Sequence, residues 1–331
     1  MSAPAHWQHR NLTSLLLLPL AGLFAAIAAL RRLAWRRGLL RSRHPGVPVI
    51  VVGNISAGGT GKTPLVLWLA RFLHDRGMRP AIVSRGHGSR RREPRAVPAD
   101  GSPADFGDEP CLLARRAACP VWVGVDRAAV AEALLAAHPG IDVIISDDGL
   151  QHYRLARDFE IAVVDGMRGL GNGWPLPAGP LREPASRLST VDAVVINGDS
   201  PALSIPGALA MQLQGNRFRN IARPQHLVTA ADFGDAEVHA VAGIGNPRRF
   251  FSHLRGLGLR CTEHAFPDHH PFRAADLAFG DGAPVVMTEK DAVKCASFAT
   301  ENHWALIVDA DVDARLGDLL TARLAQAARH G

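Results

Sequence analysis

Four β-branched residues, Val49-Ile50-Val51-Val52, run directly into Gly53-Asn54-Ile55-Ser56-Ala57-Gly58-Gly59-Thr60-Gly61-Lys62-Thr63-Pro64. Leu65, Trp68, Leu69 and Phe72 then recur at helical spacing. A buried strand, a glycine-rich turn and a helix, in that order, are the setting of a phosphate-binding loop. Glycines let backbone N–H groups converge on phosphate oxygens with no Cβ in the way, and the helix N-terminus adds its positive dipole end. Read this way, Ser56, Ala57, Gly58, Gly59, Thr60, Gly61, Lys62 and Thr63 bind the nucleotide. Lys62 reaches the β- and γ-phosphates, and Thr63 turns its hydroxyl to Mg²⁺. The usual pattern has glycine six residues before the lysine, where this chain has Ser56. A glycine-rich turn that binds nothing is the alternative. Lys62, Lys290 and Lys294 are the only lysines against abundant arginine, so a compact ammonium at 62 is a specific choice.

The strand Ile141–Ser146 ends in Asp147-Asp148. A P-loop enzyme needs an acidic group at a neighbouring strand end to hold Mg²⁺. Asp-Asp-Gly is also good turn chemistry, which is the competing reading. Thr288-Glu289-Lys290-Asp291 has the wrong spacing for a guanine-reading motif, which leaves ATP as the expected nucleotide.

From Val49 to about Leu213 strand and helix patterns alternate, with strands at Ala81–Ser84, Val121–Gly124, Val143–Ser146, Ile161–Asp165 and Ala193–Asn197. This predicts an α/β fold with a P-loop NTPase-like, doubly wound parallel sheet. A linker is expected over Gln214–Pro224. Val238–Gly243, Pro284–Thr288 and Ala305–Asp309 predict a second, smaller α/β domain, closed by a helix over Ala314–Arg329. Gly243-Ile244-Gly245-Asn246-Pro247 lacks the third glycine of a dinucleotide turn and reads as an ordinary strand-to-helix turn. The expected organisation is 1–44 as an N-terminal apolar helix with a basic flank, 45–218 as the P-loop domain and 219–331 as the smaller domain.

Leu12 to Leu30 is uncharged over 19 residues, about enough to cross a ~30 Å hydrocarbon core. Pro19 and Gly22 are tolerated in membrane helices. Six arginines follow between Arg31 and Arg43, and the positive-inside rule puts everything after them on the cytoplasmic side. A cleaved signal peptide would carry its charge before the apolar run. The segment reads as a membrane-associated helix, spanning or interfacial, with a buried core helix as the alternative. Arginines beside it suit anionic headgroups at about 1 kcal/mol each. The formal charge is +6, but nine basic side chains precede the first acidic residue, Asp75, and the rest of the chain is net acidic. No nucleic-acid partner is therefore expected from the basic total. The four cysteines form no CxxC pair, which fits reduced thiols better than a disulfide framework or a zinc site.

After Asp148 come Gly149-Leu150-Gln151-His152-Tyr153, Arg157-Asp158, Glu160–Asp165, Arg168-Gly169-Leu170-Gly171-Asn172-Gly173 and Leu176-Pro177-Ala178-Gly179-Pro180-Leu181-Arg182-Glu183-Pro184. With Gly58–Pro64 and Gly107-Asp108-Glu109-Pro110, this order closely resembles the tetraacyldisaccharide 4'-kinase family, the lipid A 4'-kinases of Gram-negative bacteria. The resemblance runs from the N-terminal apolar helix through Gly243–Pro247 and Phe266-Pro267-Asp268-His269 to Thr288–Lys294. It departs at His87, where the family has the tyrosine of Ser-Arg-Gly-Tyr-Gly.

The resemblance implies an inner-membrane enzyme on the cytoplasmic face. It would use ATP and Mg²⁺ to phosphorylate the 4'-hydroxyl of a tetraacyldisaccharide 1-phosphate, the lipid A precursor. It also implies Asp108 as the base assisted by His269, Arg182 as a phosphate clamp, and Glu183 in the Mg²⁺ shell with Thr63, Asp147 and Asp148. The residues alone leave alternatives. Gly107–Pro110 also fits a helix cap, Asp268-His269-His270 a polar loop, and Arg182-Glu183 a surface ion pair. Arg85, Arg127 and Arg90-Arg91-Arg92 are candidates for the substrate's 1-phosphate or for headgroups, with Arg127 favoured because it opens a helix. Lys290 and Lys294 share one helix face, toward a phosphate or toward solvent. Two rival functions fit the loop: a membrane-tethered P-loop nucleotide switch or chaperone without an acceptor, and a soluble small-molecule kinase whose apolar N-terminus is a core helix.

Overall fold

A computed structural model describes residues 4–86, 91–200 and 203–327. His87 and Arg90, singled out above, lie outside the described residues. Thirteen strands among the described residues share one sheet. They are β1 (Val49–Gly53), β2 (Pro80–Ser84), β3 (Arg95–Ala96), β4 (Val121–Val123), β5 (Val143–Asp147), β6 (Phe159–Asp165), β7 (Ala193–Asn197), β8 (Leu209–Asn220), β9 (Leu227–Thr229), β10 (Glu237–Ala242), β11 (Arg260–Ala265), β12 (Val285–Thr288) and β13 (His303–Val312). The helices are α1 (Leu12–Leu16), α2 (Leu18–Arg36), α3 (Lys62–His74), α4 (Pro103–Phe106), α5 (Asp108–Arg116), α6 (Arg127–Ala137), α7 (Pro247–Gly256), α8 (Glu289–Cys295) and α9 (Arg315–Ala327).

The strand order is β11-β10-β12-β13-β8-β7-β6-β1-β5-β2-β4-β3, with β9 against β8. Pairing is parallel from β8 through β7, β6, β1, β5 and β2 to β4. It is parallel again among β11, β10, β12 and β13. The two parallel halves meet in one antiparallel pair, β8 with β13. In the P-loop half, alternation along the strands builds two cores. Ile50, Val52, Ile82 and Ile145 pack under α3, α5 and α9, while Val49, Val51, Ala81 and Val83 pack under α6 on the other face.

The linker expected over Gln214–Pro224 is a strand as far as Asn220. Leu209 and Met211 belong to the P-loop core, whereas Phe218 packs with Phe250, Phe251, Leu254 and Trp304. One strand therefore serves both halves, and the expected boundary at 218/219 falls inside it. The register shifts between Ile307 and Asp309 of β13, and there Gly215 approaches closely: a Cβ would lie 2.4 Å from the Ile307 carbonyl oxygen.

The apolar N-terminal run is not one helix. It breaks at Leu17, and α1 is opened by a capping box between Asn11 and Ser14. Ala21 is the only buried residue of α2, and Leu20, Leu23, Ile27 and Leu30 are each more than half exposed. The core-helix alternative is thereby overturned. Both ends of this segment grip the same stretch of the body. Trp7 Nε1 donates to the Pro177 carbonyl at 3.1 Å, Asn172 Nδ2 donates to the His6 carbonyl at 2.8 Å, and Arg32 pairs with Glu183 at 3.0 Å.

Candidate active site

The carboxyl ends of β1, β2, β5, β6 and β7 converge on a cavity of about 650 Å³. Residues following β10 and β12 line its opposite wall. A crevice outside the carboxyl ends of parallel strands is where α/β sheets bind ligands.

The glycine-rich loop leaves β1 and enters α3 through Gly61, whose φ of +88° is in the left-handed region. One side chain of the loop and two from outside hold its carbonyls. Asn54 Nδ2 donates to Gly58 O at 3.1 Å, Asn197 Nδ2 donates to Thr60 O at 2.9 Å, and Arg168 donates to Gly59 O. These contacts engage acceptors and not the backbone donors that a phosphate requires. Asn197 Oδ1 in turn accepts from Arg249 of α7 at 2.9 Å, so the second half of the sheet helps to shape the loop.

Lys62 Nζ lies 3.3 Å from Asp148 Oδ1, and Arg182 lies 3.6 Å from Oδ2. Burial works to raise the Asp148 pKa, but these two cations more than offset it, and the carboxyl sits below its ordinary range. Asp147 is fully enclosed, with Ser84 Oγ donating to it at 3.0 Å. Burial, with Glu109 and Asp148 nearby, pushes its pKa up to about 7.

Opposite the loop, Asp108 opens α5. Gly107 is the cap residue, and no side chain caps this helix. The Asp108 carboxylate instead meets His269 Nδ1 at 3.1 Å, with Lys294 Nζ at 3.8 Å. Burial opposes its ionisation, but the His269 hydrogen bond and the charges of Lys294, His269 and Lys290 hold its pKa below the usual range. Lys290 Nζ lies 3.2 Å from Glu109, 3.6 Å from Asp268 and 3.4 Å from His269 Nε2. Among the described residues, Asp148 (φ 49°) and His269 (φ 61°) are the only non-glycines with positive φ. Such strain, about 1–3 kcal/mol each, concentrates at functional sites.

A family profile for Tetraacyldisaccharide-1-P 4'-kinase matches residues 13–325. The chain belongs to the tetraacyldisaccharide 4'-kinase family. It is 53% identical over 328 residues to a tetraacyldisaccharide 4'-kinase of Aromatoleum aromaticum, covering 98% of this chain and 97% of that protein. A namesake from Alkalilimnicola ehrlichii is also 53% identical, over 335 residues, with the same coverage of each chain. A crystal structure of LpxK from Aquifex aeolicus in complex with ATP superposes with a TM-score of 0.79 at 29% identity. That match covers 95% of this chain and 100% of that one.

In this family member the expected site residues separate into two groups. Gly58, Gly59, Thr60, Gly61, Lys62, Thr63, Arg85, Asp108, Asp147, Asp148, Arg182 and His269 all line the cavity. Ser56 and Ala57 do not. Ser56 bridges to Leu181, and Ala57 N donates to Pro180 O at 2.8 Å, so the start of the loop is anchored to the 175–182 segment. Glu183 does not line the cavity either. Its buried carboxylate takes Gln151 Nε2 at 2.7 Å, Tyr153 Oη at 2.9 Å and Arg32 at 3.0 Å, with Arg187 at 3.5 Å. Arg127 opens α6 as expected, but its side chain is buried and absent from the cavity wall. Burial lowers its pKa to about 10, against the opposing charges of Asp147 and Asp148.

Sequence reasoning missed several contributors to the site. Lys290 and Lys294 meet carboxylates, and Lys290 also lines the cavity. Asn197, Arg249, Asp165 and Arg168 were not singled out as shaping the loop. The available signal was a polar residue, Asp165 or Asn197, ending an otherwise apolar strand at the same sheet edge as the glycine-rich turn.

Proposed function

We propose that this chain transfers the γ-phosphoryl group of ATP to the 4'-hydroxyl of a tetraacyldisaccharide 1-phosphate. Membership of the kinase family supports the activity, and the ATP complex of the Aquifex aeolicus relative supports the nucleotide. One observation carries the site reading: the Lys62 loop and the Asp108–His269 pair face one cavity, and the pair joins the P-loop half, which carries Asp108, to the half that carries His269. A nucleotide switch without an acceptor has no use for a carboxylate–histidine pair there.

The proposed roles follow from this geometry. Gly58–Thr63 cradle the phosphates, with Lys62 on the β- and γ-groups. Mg²⁺ prefers hard oxygens and takes one or two carboxylates together with phosphates and water, and Thr63, Asp147 and Asp148 offer that donor set. The bound ion would neutralise charge on the transferring phosphoryl group. Glu183 is left out of this set because its partners saturate it. Asp108, ionised at neutral pH, orients the acceptor hydroxyl and takes its proton as the oxygen bonds to the γ-phosphorus and ADP departs. His269 donates from Nδ1 to Asp108, and Lys290, set beside Nε2, favours that tautomer. Arg182 and Arg85 stand at the cavity wall to meet phosphate.

The proposed division into 1–44, 45–218 and 219–331 keeps the P-loop half apart from the half bearing His269, with β8 and β13 as the bridge. The N-terminal segment reads as interfacial. The uncharged part of α2, Leu18–Leu30, spans about 20 Å, short of a ~30 Å core. Both ends of the segment are also tied to one loop of the body. An anionic inner-membrane surface facing the cytoplasm is the proposed partner.

Labelled phosphate transfer from ATP to purified tetraacyldisaccharide 1-phosphate, in detergent with Mg²⁺, tests the activity. The expected product carries one added phosphate at the 4'-position and is absent with Lys62→Ala. A folded, ATP-binding protein that transfers nothing would overturn the reading.

A further inference from the structure

Three charge pairs join α5 to α8, and they differ in place. Lys290–Glu109 and Lys294–Asp108 lie among the groups around Asp108. The third lies at the other end of α5, where Arg116 does not line the cavity. Arg116 Nη1 donates to both oxygens of Glu289, at 2.6 and 2.5 Å, and Nη2 donates to Asp309 at 2.5 Å. The side chains of Arg116 and Glu289 are each only 12% exposed. Glu289 also accepts from Val308 N at 3.1 Å.

The halves contribute unequally to this arrangement. α5 belongs to the P-loop half and carries Asp108. α8 and β13 belong to the other half, and α8 carries Lys290 and Lys294. Glu289 stands immediately before Lys290. Without Arg116, a buried carboxylate would be left unpaired next to the cation that brackets His269. Breaking a buried pair by removing one partner is far costlier than replacing both with neutral groups.

We propose that Arg116 is a positioning residue for phosphoryl transfer: its fork bolts α8 to α5, neutralises Glu289, and so leaves Lys290 and Lys294 to hold Asp108 and His269 in register across the two halves. The proposal rests on Asp108 being the base. Arg116 touches neither the cavity nor the reacting atoms, so its removal acts on kcat and leaves ATP binding alone.

The test compares the full chain in detergent with Arg116→Met, Arg116→Lys, Glu289→Gln and the double variant Arg116→Met/Glu289→Gln. Glu289 itself lines the cavity, so a loss in Glu289→Gln alone equal to that of the double variant would overturn the proposal. Melting temperature, ATP affinity and stoichiometry, kcat per ATP-binding site and KM for ATP are measured for each. The double variant removes the buried unpaired charge, and it is expected to melt within a few degrees of the parent. Its kcat is expected to fall at least tenfold with KM for ATP unchanged, and Arg116→Lys, which restores charge without the fork, is expected to recover part of the loss. A stable double variant with parental kcat would overturn the proposal. So would a double variant that melts well below the parent, because Arg116 would then be a plain stability residue. If the parent transfers no phosphate, or Asp108→Asn transfers at the parental rate, the base assignment fails instead.

Discussion

Gly61→Ala tests whether the shape of the phosphate loop depends on one asparagine from another strand. Gly61 has φ +88°, and an alanine in the left-handed region costs about 1–2 kcal/mol. Its Cβ would lie 2.2 Å from Asn197 Nδ2, a buried side chain. Asn197 must therefore move, losing its bond to Thr60 O and the one it accepts from Arg249, both 2.9 Å. At about 1 kcal/mol each, these bring the expected loss to roughly 3–4 kcal/mol. Gly59 is the internal control. Its φ is outside the left-handed region and a Cβ there meets nothing within 4 Å, so Gly59→Ala should stay within about 0.5 kcal/mol of the parent. Urea denaturation in detergent, without nucleotide, reads both. Equal destabilisation by the two substitutions, or a Gly61→Ala midpoint matching the parent, would mean that Asn197 does not set the shape of the loop.

Other outcomes follow from the same geometry. Asp147 in the folded protein keeps a proton up to about pH 7 that the unfolded chain releases near pH 4. Stability of the metal-free protein should therefore fall as pH rises through that window. Asp147→Asn should be the more stable form at about pH 8 and lose its advantage near pH 4, as denaturant midpoints at the two pH values would show. Leu23→Glu/Ile27→Glu places charges on the exposed face of α2, and each buried aliphatic side chain is worth about 1.5–3 kcal/mol. Sedimentation with anionic vesicles should weaken at least a hundredfold while melting temperature stays put. Unchanged sedimentation would move the lipid contact to another surface.

Much of the fold was legible because it is local. β1, the glycine turn and α3 follow one another along the chain, and the parallel strands carry apolar runs that burial on both faces demands. β8 was misread because Gln214-Gly215-Asn216 looks like a turn, although Leu209, Met211 and Leu213 already alternate. Pairing with β13, and the bulge that Gly215 accommodates, make it a strand. β11, Arg260–Ala265, is a polar, half-exposed edge strand with no apolar pattern to announce it. Glu183 shows the limit on site residues. Its neighbour Arg182 reaches Asp148, yet Glu183 is claimed by Arg32, Gln151 and Tyr153, and no local pattern encodes that choice. Asp108 and His269 are 161 residues apart, so only the family resemblance could pair them in advance.

Asp108, held by His269 across the cavity, is proposed to take the proton of the acceptor hydroxyl. Single-turnover transfer by Asp108→Asn, with ATP affinity measured on the same preparation, tests it most directly. Asparagine keeps the size and loses the basic oxygen, so the transfer rate should be lower by about 10²–10⁴ with ATP affinity unchanged. Transfer within a fewfold of the parent would contradict it and place the base elsewhere in the cavity.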